Sequence, residues 1–282
     1  MERNLSPRRR AYDLAMRSLV WLCAGLTCAL LLFLIGYIFY RGAGGVTWDF
    51  LSGTSSYIRD TIGILPNILN TLYIILFAMA IVLPLGVGAA IYLTEYAANR
   101  RVVELIEFTT ETLTGIPSII FGLVGMLFFV QKMDLQAGVL AGSLTLVVMI
   151  LPTIVSVTIT SLRAVPQEYY DGSLALGATP VTSIFKMNIR AARSGIITGV
   201  VLGVGRAIGE TMAIIMVSGN VPNMPNLFKS VRFLTTGIVS EMSYAAGLHR
   251  QSLFSIGLIL FVFIFIINLI LNSILKKGAK AR

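Results

Sequence analysis

Charge is what this chain has least of. Only 12% of its 282 residues are Asp, Glu, Lys or Arg, about half the share usual in a soluble domain. Histidine occurs once and cysteine twice. Cys23 and Cys28 fall in a single apolar run, which excludes a disulfide framework and leaves them as apolar filler. No G-x-x-x-x-G-K-[ST] occurs, so the chain does not bind ATP through a P-loop. There is also no C-x-x-C, H-E-x-x-H or G-x-S-x-G. The lone His249 lies in a polar connection and reads as neither ligand nor catalyst. Catalytic residues, a metal site and a cofactor are therefore all expected to be absent, and the chain does not read as an enzyme.

What it has in quantity is long apolar runs. Hydrophobic residues make up 56% of the chain and the mean hydropathy is +0.84. Uncharged stretches span Ser18–Tyr40, Thr61–Thr94, Thr112–Gln131, Leu135–Leu162 and Gln251–Leu275. Each is long enough to cross a hydrocarbon core of ~30 Å at ~1.5 Å per residue. A sixth, Ser194–Phe228, qualifies if Arg206 and Glu210 are tolerated inside it. The expectation is an all-α integral membrane protein with six transmembrane helices. The first run (18–40) is too long for a signal-peptide core and lacks a small-residue cleavage site, so it reads as a retained helix.

Lysine and arginine set the orientation. With the N-terminus inside, fifteen basic residues fall in inner segments: Arg3, Arg8, Arg9, Arg10, Arg17, Arg100, Arg101, Arg163, Lys186, Arg190, Arg193, Lys276, Lys277, Lys280 and Arg282. Six fall outside: Arg41, Arg59, Lys132, Lys229, Arg232 and Arg250. This bias places both termini in the cytoplasm, as basic tails over 1–17 and 276–282. It also accounts for the net charge of +9 through attraction to an anionic lipid leaflet, with no need of nucleic acid.

Between the tails, one integral membrane domain is the simplest division, with the first helix followed by a core over 61–275. Pro84 should kink or break the second span, and Gly115 and Pro117 mark an irregular turn at the third. Glu104, Glu107 and Glu111 share a helical face and are expected to pair with Arg100 and Arg101. The outer segment 219–250 is too long for a simple turn and is expected to hold a short helix. The inner segment 163–193 is more informative. Pro166 opens a helix with an apolar patch at Leu174, Ala175 and Leu176, Gly177 breaks it, and a second helix starts near Pro180. Such a hairpin is a docking surface or, more plainly, an interfacial amphipathic loop.

The stretch "GVVLGVGRAIGETMAIIMVSG" (199–219) carries the sharpest signal. On a continuous helix at about 100° per residue, Gly195, Gly199, Gly203, Arg206, Glu210, Ala213 and Val217 share one face. Ile197, Val201, Val204, Ile208 and Ile215 lie opposite and are expected to meet lipid. Glycines four residues apart let a neighbouring helix approach closely, from a partner or from this chain's own core. Each mid-membrane charge costs ~2.5–3.5 kcal/mol on insertion scales. Two readings stand: a structural ion pair that fixes packing, or a guanidinium lining an anion pathway and restrained by Glu210 when no anion is present.

At this point motifs accumulate. "EYYDGSLALGAT" followed by "RAARSGI" resembles the EAA loop of ABC-importer permeases. Asp171, Gly172 and Ser173 stand at the E-A-A positions, Gly177 at the motif glycine, and Met187, Ile189 and Arg190 at the closing I, L and P. An acid and two small residues thus replace E-A-A, and the closing proline is missing. "GRAIGETMA", "VSGN", "GIPSIIFGL", "PLGVGAAIYLTEYA" and "GILPNILNTLY" are narrower, and together resemble the phosphate importer's permeases of PstC type over residues 60–275.

That resemblance implies a MetI-like permease architecture in a bacterial or archaeal cytoplasmic membrane, with the hairpin as a cytoplasmic coupling loop. It implies a substrate pathway at Arg206, Glu210 and Thr211, and ATPase coupling at Asp171, Gly172, Ser173, Ala175 and Gly177. The implied partners are a PstA-like second permease, two copies of a cytoplasmic ATPase, a periplasmic or lipoprotein phosphate-binding protein, and inorganic phosphate. An ABC permease for another oxyanion, such as sulfate or molybdate, is the near alternative. A stand-alone secondary anion transporter or channel is the alternative from another class, and a membrane-embedded enzyme ranks below both.

Overall fold

A computed structural model describes residues 7–56 and 61–280; Arg3, Arg59 and Arg282 of the charge count lie outside them. The first helix, α1 (Pro7–Gly42), is apolar over most of its length and stands clear of the bundle until its C-terminal part meets the last helix. A single 3₁₀ turn and a short helix α2 (Trp48–Ser52), capped by Thr47, follow. Strands β1 (Thr54–Ser56) and β2 (Thr61–Ile64) pair antiparallel, a small exception to the all-helical expectation.

Helix α3 (Leu65–Ile91) starts with Pro66 in its first turn, where the missing N–H costs nothing. It runs through Pro84 without ending, and widens into a π turn at Tyr92–Tyr96. Helix α4 (Arg100–Thr114) is capped by the Asn99 side chain. After Gly115–Pro117 the chain turns through 101° into α5 (Ser118–Gly125), continued by a π turn to Lys132. The third expected span is thus a bent pair, Arg100–Thr114 with Ser118–Lys132.

Helix α6 (Val139–Arg163) is the axis of the fold and the most buried of the long helices. It packs against α3 on one side and α9 (Ile189–Gly209) on another. Between them lie α7 (Gln167–Ala175), α8 (Pro180–Ser183) and a π turn at Ile184–Asn188. Beyond α9 come α10 (Met212–Val217) and the outer segment's short helix α11 (Leu234–Glu241). The last helix, α12 (Gly247–Lys280), lies along α1, α9 and α11. Among the described residues, five helices are long and apolar enough to cross a membrane, or six with the bent pair taken as one span.

The main core draws Ile74, Ala78 and Val82 from α3, Leu146, Ile150 and Ile154 from α6, Val204 and Ile208 from α9, and Ile214 from α10. Lipid is as apolar as these side chains, so close packing, rather than exclusion of water, holds them together. Val204 and Ile208 correct an expectation. Both are buried, in the core cluster that residues of α3, α6, α10 and α12 also form. The segment 219–250 is tied to α3 by polar bonds. The Asn70 side chain donates to the carbonyls of Asn223 and Arg232, and the Thr71 hydroxyl accepts from Leu234 N–H.

Candidate functional site

Arg206, Glu210 and Thr211 do not lie on one continuous helix. Helix α9 ends at Gly209, Glu210 is extended (φ −72°, ψ 128°), and α10 restarts at Met212. Such a break frees backbone groups that lipid could not satisfy, so protein must supply their partners. Three are supplied here. The Glu210 carboxylate accepts from Ala213 N–H at 2.9 Å, and the Thr235 hydroxyl of α11 donates to the Glu210 carbonyl at 3.1 Å. The Thr211 hydroxyl donates to the Gly209 carbonyl at 3.3 Å. The wheel that put Ala213 and Val217 in line with Arg206 therefore fails at Glu210, although both residues are fully buried.

The expected ion pair is not formed either. Among the described residues no carboxylate pairs with Arg206; its Nη1 donates to the Thr153 hydroxyl of α6 at 3.3 Å. The charge is offset in another way. Arg206 lies in the last turn of α9, where unpaired carbonyls and the helix dipole favour a cation. Glu210 is held as a cap on α10 instead. The result is a half-buried guanidinium with unused donors beside a break in the backbone, and a planar fork of that kind can meet two oxygens of an oxyanion at once. Thr153 and Thr235 were not picked out by sequence. Each comes from a distant part of the chain, and a hydroxyl inside an apolar run carries no local signal.

The glycine row faces this chain's own α6. Gly195 lies on Ser161, Gly199 on Val157, and Gly203 on Ile154 and Ile150. A Cβ at Gly199 would stand 3.1 Å from Val157 Cγ1, and one at Gly203 only 2.8 Å from Ile154 Cδ1. These contacts set the distance between the helix bearing Arg206 and the helix bearing Thr153.

The α7–α8 hairpin separates its motif residues into two kinds. Asp171, Gly172, Ala175 and Gly177 are exposed, and Leu176 at the tip is 91% exposed. Gly177 has φ +85°, a left-handed conformation that ends α7 and that side chains rarely adopt. Ser173 is buried instead, its hydroxyl 2.6 Å from that of Ser183, so that it clasps α7 to α8. The acid cluster is also rearranged. Arg100 pairs with Glu104, while Glu107 is gripped by both terminal nitrogens of Arg163 at the end of α6. His249 contacts Glu241, which also pairs with Arg232, in the outer segment.

The chain is similar to several known proteins. The permease PstC of Haemophilus influenzae is 32% identical over 233 residues, 73% of each chain. PstC 1 of Mycobacterium tuberculosis is 31% identical over 249 residues, 77% of this chain and 73% of its own. The probable ABC transporter permease YqgI of Bacillus subtilis is 35% identical over 211 residues, 75% of this chain and 72% of its own. Among solved structures, the MetNI methionine ABC transporter superposes with a TM-score of 0.59 at 18% identity, covering 77% of this chain and 94% of that one. A bacterial alginate-importing ABC transporter gives 0.60 at 12%, covering 95% and 99%. Below 25% identity these two speak for the fold alone. The family model described as "binding-protein-dependent transport system inner membrane component" matches residues 82–278, and it is to this family of multi-pass membrane permeases that the chain belongs.

Proposed function

We propose that this permease subunit forms half of the translocation pathway of an ATP-driven importer of inorganic phosphate, of PstC type. The observation that carries the reading is Arg206: an unpaired guanidinium beside a backbone break, in a chain 31–33% identical to several proteins named PstC. On this reading a PstA-like permease supplies the other half of the pathway. Two copies of a cytoplasmic ATPase dock on the α7–α8 hairpins, and a phosphate-binding protein delivers the anion from outside. Both termini face the cytoplasm. Phosphate near neutral pH is a mono- or dianion with several acceptor oxygens, which suits the free donors of Arg206. Glu210 and Thr211 shape the break through which the anion passes, and the substrate is moved without being altered.

The test is uptake of phosphate by proteoliposomes holding the four components, with ATP inside and binding protein outside. Arg206→Lys keeps the charge but loses the fork, and should leave weak uptake. Arg206→Gln should abolish it while the complex still assembles and hydrolyses ATP, because no buried acid depends on Arg206 for its partner. Uptake at the unmodified level by Arg206→Gln would refute the pathway role. Sulfate or molybdate uptake in place of phosphate would favour the near alternative, and uptake by the purified chain alone would favour a stand-alone carrier.

A further inference from the structure

The hairpin that bears Gly177 is stiff in itself and loosely attached to the core. The Ser173–Ser183 bond, with the Ala178 N–H donating to the Ser173 carbonyl, ties α7 to α8 as one body. Its entry at Ala164–Pro166 is flanked by two cavities that share Val165 and Pro166, of about 750 and 440 Å³. Few neighbours therefore oppose rotation of the hairpin about that entry. Its exit is the π turn at Ile184–Asn188, and there the attachment is of a different kind.

Asn188 is buried, and its Nδ2 donates to Glu95 Oε1 at 3.2 Å, while its own Oδ1 has no partner. Glu95 lies in the π turn that ends α3. Among the described residues Glu95 has no cation partner, although Arg163 lines the same cavity, because that guanidinium is taken by Glu107. A buried amide and an otherwise unpaired carboxylate thus join two π turns, a form of local unwinding that recurs at functional sites in helices. The bond spans 93 positions of sequence and links the hairpin's exit to α3, which packs along α6.

We infer that Glu95 and Asn188 are positioning residues that transmit movement of the hairpin to α3. The hairpin swings as a unit at Ala164–Pro166, and the Glu95–Asn188 bond obliges the inner end of α3 to follow it. Neither residue touches the transported anion. The inference rests on the proposed reading of the hairpin as the ATPase dock.

The experiment uses the complete complex and two readouts. The first is phosphate transported per ATP hydrolysed. The second is the spin-label distance between Val181→Cys on α8, an exposed site outside the apolar patch, and Leu85→Cys on α3, with Cys23 and Cys28 replaced by serine. In the unmodified tether this distance should stay constant on ATP binding, since the two sites move together. Asn188→Asp sets two carboxylates against each other. The transport-to-hydrolysis ratio should then fall about tenfold, the worth of one charge-assisted hydrogen bond, and the distance should become ATP-dependent. Glu95→Gln combined with Asn188→Asp restores a donor–acceptor pair and should recover both readouts. A ratio and distance unchanged by Asn188→Asp would overturn the inference, as would a loss that the double variant does not repair. If Asn188→Asp does not assemble, Asn188→Ala, which removes the donor without adding charge, is read in the same two ways. Failure of the unmodified complex to take up phosphate would count against the phosphate reading, and the distances would then decide the tether alone.

Discussion

Gly122 offers the sharpest test of how the broken helix is held. It sits on α5 against α10, and a Cβ built there would stand 2.7 Å from Ala213 Cα and 2.9 Å from Ala213 O. Both are backbone atoms and cannot turn aside. At Gly203 the added carbon would meet Ile154 Cδ1 at 2.8 Å, a terminal methyl that can turn aside, and Ile150 Cγ2 at the milder 3.2 Å. Alanine in either helix gains about 1 kcal/mol of helix propensity over glycine. Overpacking costs ~1–3 kcal/mol, least where side chains can yield and most where backbone must move. Gly203→Ala should therefore be nearly neutral to ~2 kcal/mol destabilising, and Gly122→Ala destabilising by ~2 kcal/mol or more. Separation of α5 from α10 would also displace Ala213 from the Glu210 carboxylate, so uptake should fall with stability. The measurement is unfolding of the purified complex in a detergent titration, with Gly25→Ala, which has nothing within 4 Å and so gains helix propensity alone, as the reference. If Gly122→Ala proves as stable as the reference, or Gly203→Ala costs more, the distinction between yielding and unyielding neighbours is wrong for this bundle.

Two further outcomes follow from the same structure. Ile208 is 2% exposed, so Ile208→Ala should cost ~2–5 kcal/mol in the same titration, whereas a lipid-facing residue would lose almost nothing. Gly177→Ala meets no neighbour but must adopt φ +85°, which costs ~1–2 kcal/mol at the hairpin tip. Phosphate uptake should drop while the chain stays in the membrane, and unchanged uptake would remove the requirement for that turn.

The features legible from sequence were those decided within a few residues. Uncharged runs located the long helices because a bilayer sets a minimum apolar length. Gly115–Pro117 announced the bend after α4, and Pro166, Gly177 and Pro180 announced the hairpin, since each restricts or frees the local backbone. The motif around Arg206 was equally visible, a full charge in an apolar stretch.

What the tertiary structure decided depended on neighbours distant in the chain. A helical wheel separates apolar from polar faces, but lipid and another helix are equally apolar, so Val204 and Ile208 could not be told from lipid-facing residues until the packed core was seen around them. Glu210 carries no helix-breaking side chain. Its extended backbone holds because Thr235, 25 positions away, meets its carbonyl while its own carboxylate caps α10. The i, i+4 spacing of Arg206 and Glu210 read as an ion pair only while the helix was taken as continuous; once it breaks, Glu210 turns to Ala213 and Arg206 to Thr153. Charge spacing states which groups a regular helix would bring together, and only the packed chain decides whether the helix between them exists.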